Sequence, residues 1–183
     1  MSKSLIVQKY GGTSVGTLER IEHVADRIVK VQKTGIDIVV VVSAMAGETD
    51  KLLKMARSLS KNPARREVDM LLSSGERISA ALLALALQSR GIPAFSMTGR
   101  QIGLQTDSTH TRARITNIDT RRARKMLNEN HVIVVAGFQG INEEGDVTTL
   151  GRGGSDTSAV ALAVALGARQ CEIYTDVDGV YTT

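Results

Sequence analysis

Two runs of β-branched residues constrain this chain more than any other feature. One is Asp37-Ile38-Val39-Val40-Val41-Val42-Ser43, the other His131-Val132-Ile133-Val134-Val135-Ala136-Gly137-Phe138. Neither alternates apolar with polar, so each predicts a strand covered on both faces, as in a parallel sheet. Parallel neighbours need crossover connections, and the segments around the runs carry helical patterns. Thr17 predicts the cap of a helix whose Ile21, Val24, Ala25, Ile28 and Val31 follow the i, i+3, i+4, i+7 stripe, with Gly35 closing it. Asp50 predicts a cap for a helix over 51–60 that stops near Asn62-Pro63. Residues 67–90 predict a long helix, broken or kinked at Gly75 and stopped by Gly91. Further helices are expected over 120–130 and 155–166. Strands are expected over 4–9, 92–98, 113–119 and 171–177, and a hairpin over 140–150 turning near 143–145. The alternation predicts one α/β domain spanning 1–183, a three-layer αβα sandwich with a mainly parallel central sheet.

Composition narrows the class. With one thiol, Cys171, and no Cys/His cluster at zinc-site spacing, neither an internal disulfide nor a zinc scaffold is expected. The longest apolar stretches, 38–42 and 159–168, fall well short of the roughly 18 residues of a membrane span. The N-terminus lacks the pattern of a signal or transit peptide. A cytoplasmic globular protein that meets no membrane is the expectation. The net charge of +4 is unevenly placed: 100–125 holds seven basic residues against two acids. That patch could attract nucleic acid or a phosphorylated substrate. No aromatic residue lies between Phe95 and Phe138, so bases would have nothing to stack on. A solvated helix face is preferred, and no nucleic-acid partner is expected.

In a parallel α/β fold, ligands bind at the carboxyl ends of the strands, so the loops there are the candidates for chemistry. Lys9-Tyr10-Gly11-Gly12-Thr13-Ser14 joins a strand to a helix. Paired glycines allow close backbone approach, and amides at a helix start favour an anion. The spacing Gly11 to Gly16 mimics a Walker A loop, but Thr17 stands where that loop needs lysine. Leu150-Gly151-Arg152-Gly153-Gly154-Ser155-Asp156 leads into an alanine-rich helix and makes a stronger cradle, with Arg152 to pair an oxyanion. Asp156 stands where a Rossmann loop has its third glycine, and is either a site residue or a helix cap. Thr175-Asp176-Val177-Asp178-Gly179 does not complete a calcium loop. Carboxylates there could hold ribose hydroxyls, or the segment is a plain turn. The loop 43–50 is rich in small residues, and Glu76, in Ser73-Ser74-Gly75-Glu76-Arg77, could meet a substrate ammonium. No Cys–His or Ser–His pair suggests a protein nucleophile. Two cations, two glycine loops and two acids suit phosphoryl transfer, where positioning and charge neutralisation do most of the catalysis. Mg²⁺ would be expected with the nucleotide.

The motifs also match a family. Val7-Gln8-Lys9-Tyr10-Gly11-Gly12-Thr13-Ser14-Val15 resembles the signature of the aspartate kinases in the amino-acid kinase superfamily. Val42-Ser43-Ala44-Met45, Ser74-Gly75-Glu76-Arg77, Val135-Ala136-Gly137-Phe138-Gln139-Gly140, Thr148-Thr149-Leu150-Gly151-Arg152-Gly153-Gly154-Ser155-Asp156 and Tyr174-Thr175-Asp176-Val177-Asp178-Gly179-Val180-Tyr181 follow in that family's order. The resemblance implies ATP-dependent phosphorylation of the L-aspartate β-carboxylate to 4-phospho-L-aspartate, the first step toward lysine, threonine, methionine and diaminopimelate. It implies that Lys9 neutralises the transferring phosphoryl group and that Gly11 and Gly12 supply amides. It places Ser43 and Thr49 by the substrate, Glu76 on its ammonium and Arg152 on a carboxylate. Gly153, Gly154 and Ser155 would line the phosphate and substrate loop, and Asp156 would orient Lys9. Thr175, Asp176 and Tyr181 would sit by the nucleoside. Relatives commonly dimerise, so a homo-oligomer is expected. They continue past the equivalent of Thr183 with the rest of the kinase domain and regulatory ACT domains, so the chain is read as a C-terminally incomplete kinase domain. The alternative is an inactive piece that keeps only ligand or partner binding.

Overall fold

A computed structural model describes residues 3–175. The strands β1 (Leu5–Tyr10), β2 (Asp37–Val42), β3 (Ala94–Met97), β6 (Val132–Ala136) and β9 (Gln170–Tyr174) form one sheet in the order β3-β6-β2-β1-β9. Every pairing in it is parallel. The helices α1 (Leu18–Gln32) and α3 (Arg65–Gln88) cover one face, while α5 (Arg121–Asn128) and α6 (Gly154–Leu166) cover the other. The three-layer reading holds.

The two uninterrupted runs explain the layering. Side chains alternate across a strand, so Ile38, Val40 and Val42 pack with α1 and α3, while Val39 and Val41 pack with α6. In β6, Val132, Val134 and Ala136 face the first layer, and Ile133 and Val135 the second. Both faces are dry, which is why neither run alternates with polar residues.

A second sheet stands beside the carboxyl ends of these strands. It contains β4 (Leu104–Thr106), β5 (Ile115–Ile118), β7 (Gln139–Ile141) and β8 (Val147–Thr149) in the order β5-β4-β7-β8, mostly antiparallel. The expected hairpin is β7–β8, and the strand expected over 113–119 belongs here rather than to the central sheet. Neither β4 nor the one-turn α4 (Gly99–Ile102) before it is expected from the sequence. Both are too short for a periodic pattern to show.

Two local expectations are corrected. The helix α2 (Glu48–Leu59) starts ahead of Asp50, capped by Gly47 in the left-handed region at φ +81° with no side-chain bond to its amides. Gly75 does not break α3, which runs unbroken from Arg65 to Gln88. A methyl group at Gly75 would lie 2.8 Å from the Ala44 side chain, so this glycine serves close packing against the β2–α2 loop. Thr17 does cap α1, its hydroxyl accepting the Arg20 N–H. By length and composition α3 could cross a bilayer, but half of its apolar stretch is buried in this fold, as befits a core helix. The last strand is described to Tyr174; the expectation for 176–177 lies outside the described residues.

Candidate functional site

The carboxyl ends of β1 and β2, the middle of α3 and the start of α6 enclose a cleft of about 340 Å³. Lys9, Gly12, Ser43, Thr49, Glu76, Arg152, Gly153, Gly154, Ser155 and Asp156 all line it. Residues far apart in sequence thus converge, ten of those singled out above.

Strand alternation places the lysine. In β1, Leu5 and Val7 face the α6 layer, and Lys9, two residues on, points the same way. Its ammonium, on a 7 % exposed residue, lies 2.7 Å from Asp156 Oδ1. Asp156 is not the cap of α6; Gly153 is, at φ +74° with no side-chain cap. Asp156 lies in the helix's first turn, where a carboxylate is favoured by the helix dipole, and its side chain is spent on Lys9. No side chain caps the first turn of α6. Its Gly154 N–H donates to the Gly151 carbonyl at 3.0 Å, which leaves the Ser155 and Asp156 amides for an anion.

Glu76 sits on the buried face of α3, 3 % exposed. Its Oε1 accepts the Ala44 N–H at 3.2 Å, whereas its buried Oε2 has no hydrogen-bond partner among the described residues. Burial pushes this carboxyl up to about 7, against a smaller pull from its bond to Ala44 N–H. A carboxylate held this way is poised to accept a cation.

Three chain segments meet at Ala44. A methyl at Gly12 would lie 2.8 Å from the Ala44 carbonyl oxygen, and one at Gly75 would lie 2.8 Å from Ala44 Cβ. The Ala46 N–H donates to the Gly12 carbonyl at 3.2 Å, tying the first loop to the second. Gly154 packs as tightly, since a methyl there would lie 2.8 Å from the Phe138 ring. Arg152 is exposed and has no acidic partner among the described residues. Hydroxyls at Ser43, Thr49 and Ser155, two glycine loops, one buried lysine and one free arginine together suit an anionic ligand bearing an ammonium group.

Gly11 is near the cleft without lining it: a methyl there would lie 3.6 Å from the Lys9 ammonium nitrogen. Thr175 is apart, lining a separate concavity with Tyr10, Ser14, Arg20, His23, Arg27 and Tyr174. There the Tyr10 and Tyr174 rings stack at 4.8 Å, and the Arg27 guanidinium lies 4.3 Å from the Tyr174 ring centre. Asp176 and Tyr181 lie outside the described residues. Met45, Ala46 and Phe138 also line the cleft; Met45 and Phe138 lie inside the family motifs and Ala46 in the small-residue loop 43–50, but none carries an ionisable group to mark it. Among the described residues no cluster of His, Cys, Asp and Glu is arranged to hold a metal ion.

Known proteins share this sequence and fold. The family model for the Amino acid kinase family matches residues 4–183. An aspartate kinase of Stutzerimonas stutzeri is 59% identical over 180 residues, and an aspartokinase of Geobacillus stearothermophilus 58% over 179. Each match takes in 98% of this chain and 44% of the relative, so the chain spans less than half the length of the curated relatives it matches. Among solved structures, aspartate kinase from Synechocystis superposes with a TM-score of 0.85 at 54% identity, over 97% of this chain and 29% of that one. E. coli aspartokinase III in complex with aspartate and ADP gives 0.83 at 28% identity, over 98% of this chain and 51% of that one.

Proposed function

Because the chain belongs to the amino acid kinase family, we propose that it provides the substrate cleft of an aspartate kinase, transferring the γ-phosphoryl group of ATP to the β-carboxylate of L-aspartate. The product is 4-phospho-L-aspartate, which feeds cytoplasmic synthesis of lysine, threonine, methionine and diaminopimelate. The observation that carries the reading is the buried Glu76 Oε2, without a partner among the described residues, in the same cleft as Arg152. An α-amino acid offers an ammonium for the first and a carboxylate for the second.

The substrate carboxylate is itself the nucleophile, so no general base is required. One β-carboxylate oxygen attacks the γ-phosphorus, the bond to the bridging oxygen breaks, and ADP leaves. Lys9 neutralises charge on the transferring group, and Asp156, 2.7 Å away, holds the ammonium in place. The Gly12 and Gly153 amides carry phosphate oxygens, while Ser43, Thr49 and Ser155 contact the amino acid. The Gly11 and Gly154 amides, expected to bind phosphate as well, are spent on the Tyr174 carbonyl at 3.1 Å and the Gly151 carbonyl at 3.0 Å. Thr175, Asp176 and Tyr181 flank the nucleoside. Mg²⁺ would be held by the phosphates of ATP and would supply charge neutralisation there beside Lys9. The molecule acts as a homodimer in this reading.

The reaction is tested with ATP, Mg²⁺ and L-aspartate by trapping the acyl phosphate with hydroxylamine. Hydroxamate should form with L-aspartate, and Lys9→Ala should cut its rate by about 10²–10³, the usual loss of a charge stabiliser. A second reading is a piece that binds without catalysing. Calorimetric binding of L-aspartate with no hydroxamate would select it.

A further inference from the structure

Below the cleft, α3 carries a second buried acid that the mechanism does not use. Asp69 is fully buried, two helical turns before Glu76. Its Oδ2 accepts from His110 Nδ1 at 2.7 Å, and its Oδ1 accepts the Thr149 hydroxyl at 2.5 Å. The Thr111 N–H donates to both oxygens, at 3.0 and 3.1 Å. Three donors from two distant segments thus close on one carboxylate.

Those segments frame the arginine loop. Thr111 holds φ at +70°, a region a β-branched residue seldom enters, and its N–H is the group Asp69 takes. The Ala113 N–H donates to the Thr149 carbonyl at 2.9 Å, so the two segments are also joined to each other. The Thr111 carbonyl oxygen lies 3.3 Å from where a methyl on Gly151 would sit. Arg152 is the next residue. We infer that Asp69 is a positioning residue for the amino-acid substrate: it ties the loop bearing Arg152 to the same helix that bears Glu76.

A rigid helix rises about 1.5 Å per residue, so α3 then sets the separation between the ammonium site and the carboxylate site. Asp69 touches neither the substrate nor the reacting atoms. Its effect falls on which amino acid fits, not on ATP. The substrate assignment rests on the function proposed above, whereas the anchoring of the loop does not.

Hydrogen exchange and L-aspartate binding test the two parts separately. In the whole chain, Asp69→Ala should speed amide exchange at 107–113 and 150–154 and leave the central sheet protected. It should weaken calorimetric L-aspartate binding about tenfold, the scale of one lost charge-assisted bond, with Asp69→Asn intermediate and ATP affinity within about twofold. Thr149→Val is nearly isosteric and should move both readouts the same way by less, which covers an unfolded Asp69→Ala. In an Arg152→Ala background, Asp69→Asn should cost no further L-aspartate affinity, since coupled residues fail to add. Unchanged exchange at 150–154 in folded Asp69→Asn and Thr149→Val would overturn the anchoring. Additive losses with Arg152→Ala would overturn the positioning role. If the unaltered chain binds no L-aspartate while exchange responds as described, the anchor stands and the substrate reading fails.

Discussion

Under the proposed function, the ammonium site at Glu76 sets stability against recognition. Its carboxyl, pushed up to about 7 by burial, is charged in the folded protein only at a cost. Between the ordinary glutamate value and about pH 7 the folded state holds a proton that the unfolded state has lost, so stability falls as pH rises through that window and levels off above it. Glu76→Gln should therefore raise stability at pH 8 by on the order of 2–3 kcal/mol, measured by urea unfolding. The same variant should bind L-aspartate at least about tenfold more weakly. In the unaltered chain L-aspartate affinity should rise from pH 6 to 8, and in Glu76→Gln it should stay flat. Sequence alone offered Glu76 as a possible ammonium partner, because an acid beside glycine and serines is ambiguous. What made it legible was the family resemblance, and what gives it a physical reason is burial, which no local spacing encodes. Asp69 was invisible for the same reason. Its partners lie 41, 42 and 80 residues away in sequence.

Elements with long, uninterrupted patterns were read correctly: β2 and β6 from their β-branched runs, α1 from its stripe and its Thr17 cap. Failures fell where tertiary contact overrides local preference. Asp50 looked like a cap, yet α2 begins at Glu48 because Gly47 takes the left-handed turn that the loop needs. Gly75 looked like a break because glycine is a poor helix former. Replacing it by alanine in an exposed helix would be stabilising by about 1 kcal/mol. Here the added methyl would meet Ala44 at 2.8 Å, so overpacking decides the sign. Gly75→Ala should lower stability by roughly 1–3 kcal/mol, read as a shift in the urea midpoint at constant slope. It should also disturb the Glu76–Ala44 bond and weaken L-aspartate binding. Gly91→Ala, with a positive φ but open space around it, should leave that binding unchanged.

At the scale of the molecule, the described central sheet ends in β3 on one side and β9 on the other. Beside β9, Val164 on α6 and Ile173 on the strand are 78 % and 45 % exposed. Unpaired strand edges next to apolar side chains invite association. The 183-residue chain should self-associate in sedimentation experiments at micromolar concentration, and Val164→Lys with Ile173→Lys should reduce it without loss of helix by circular dichroism. The global architecture was legible because parallel sheets buried on both faces impose a pattern few other folds share. Of the second sheet, the β7–β8 hairpin and β5 are legible in the sequence. β4, with three residues, carries too little period to register, and nothing local says that these strands pair apart from the central sheet. One further consequence follows from β1, where Lys9 serves the α6 layer and Tyr10, its neighbour, serves the layer of α1 and α3. The strand works as a two-letter reading frame. Inserting or deleting a single codon ahead of Lys9 would exchange what the two layers receive. Tolerance of this gene to one-codon indels in that stretch should accordingly be far lower than its tolerance of point substitutions, and a deep mutational scan would show it as a narrow forbidden band.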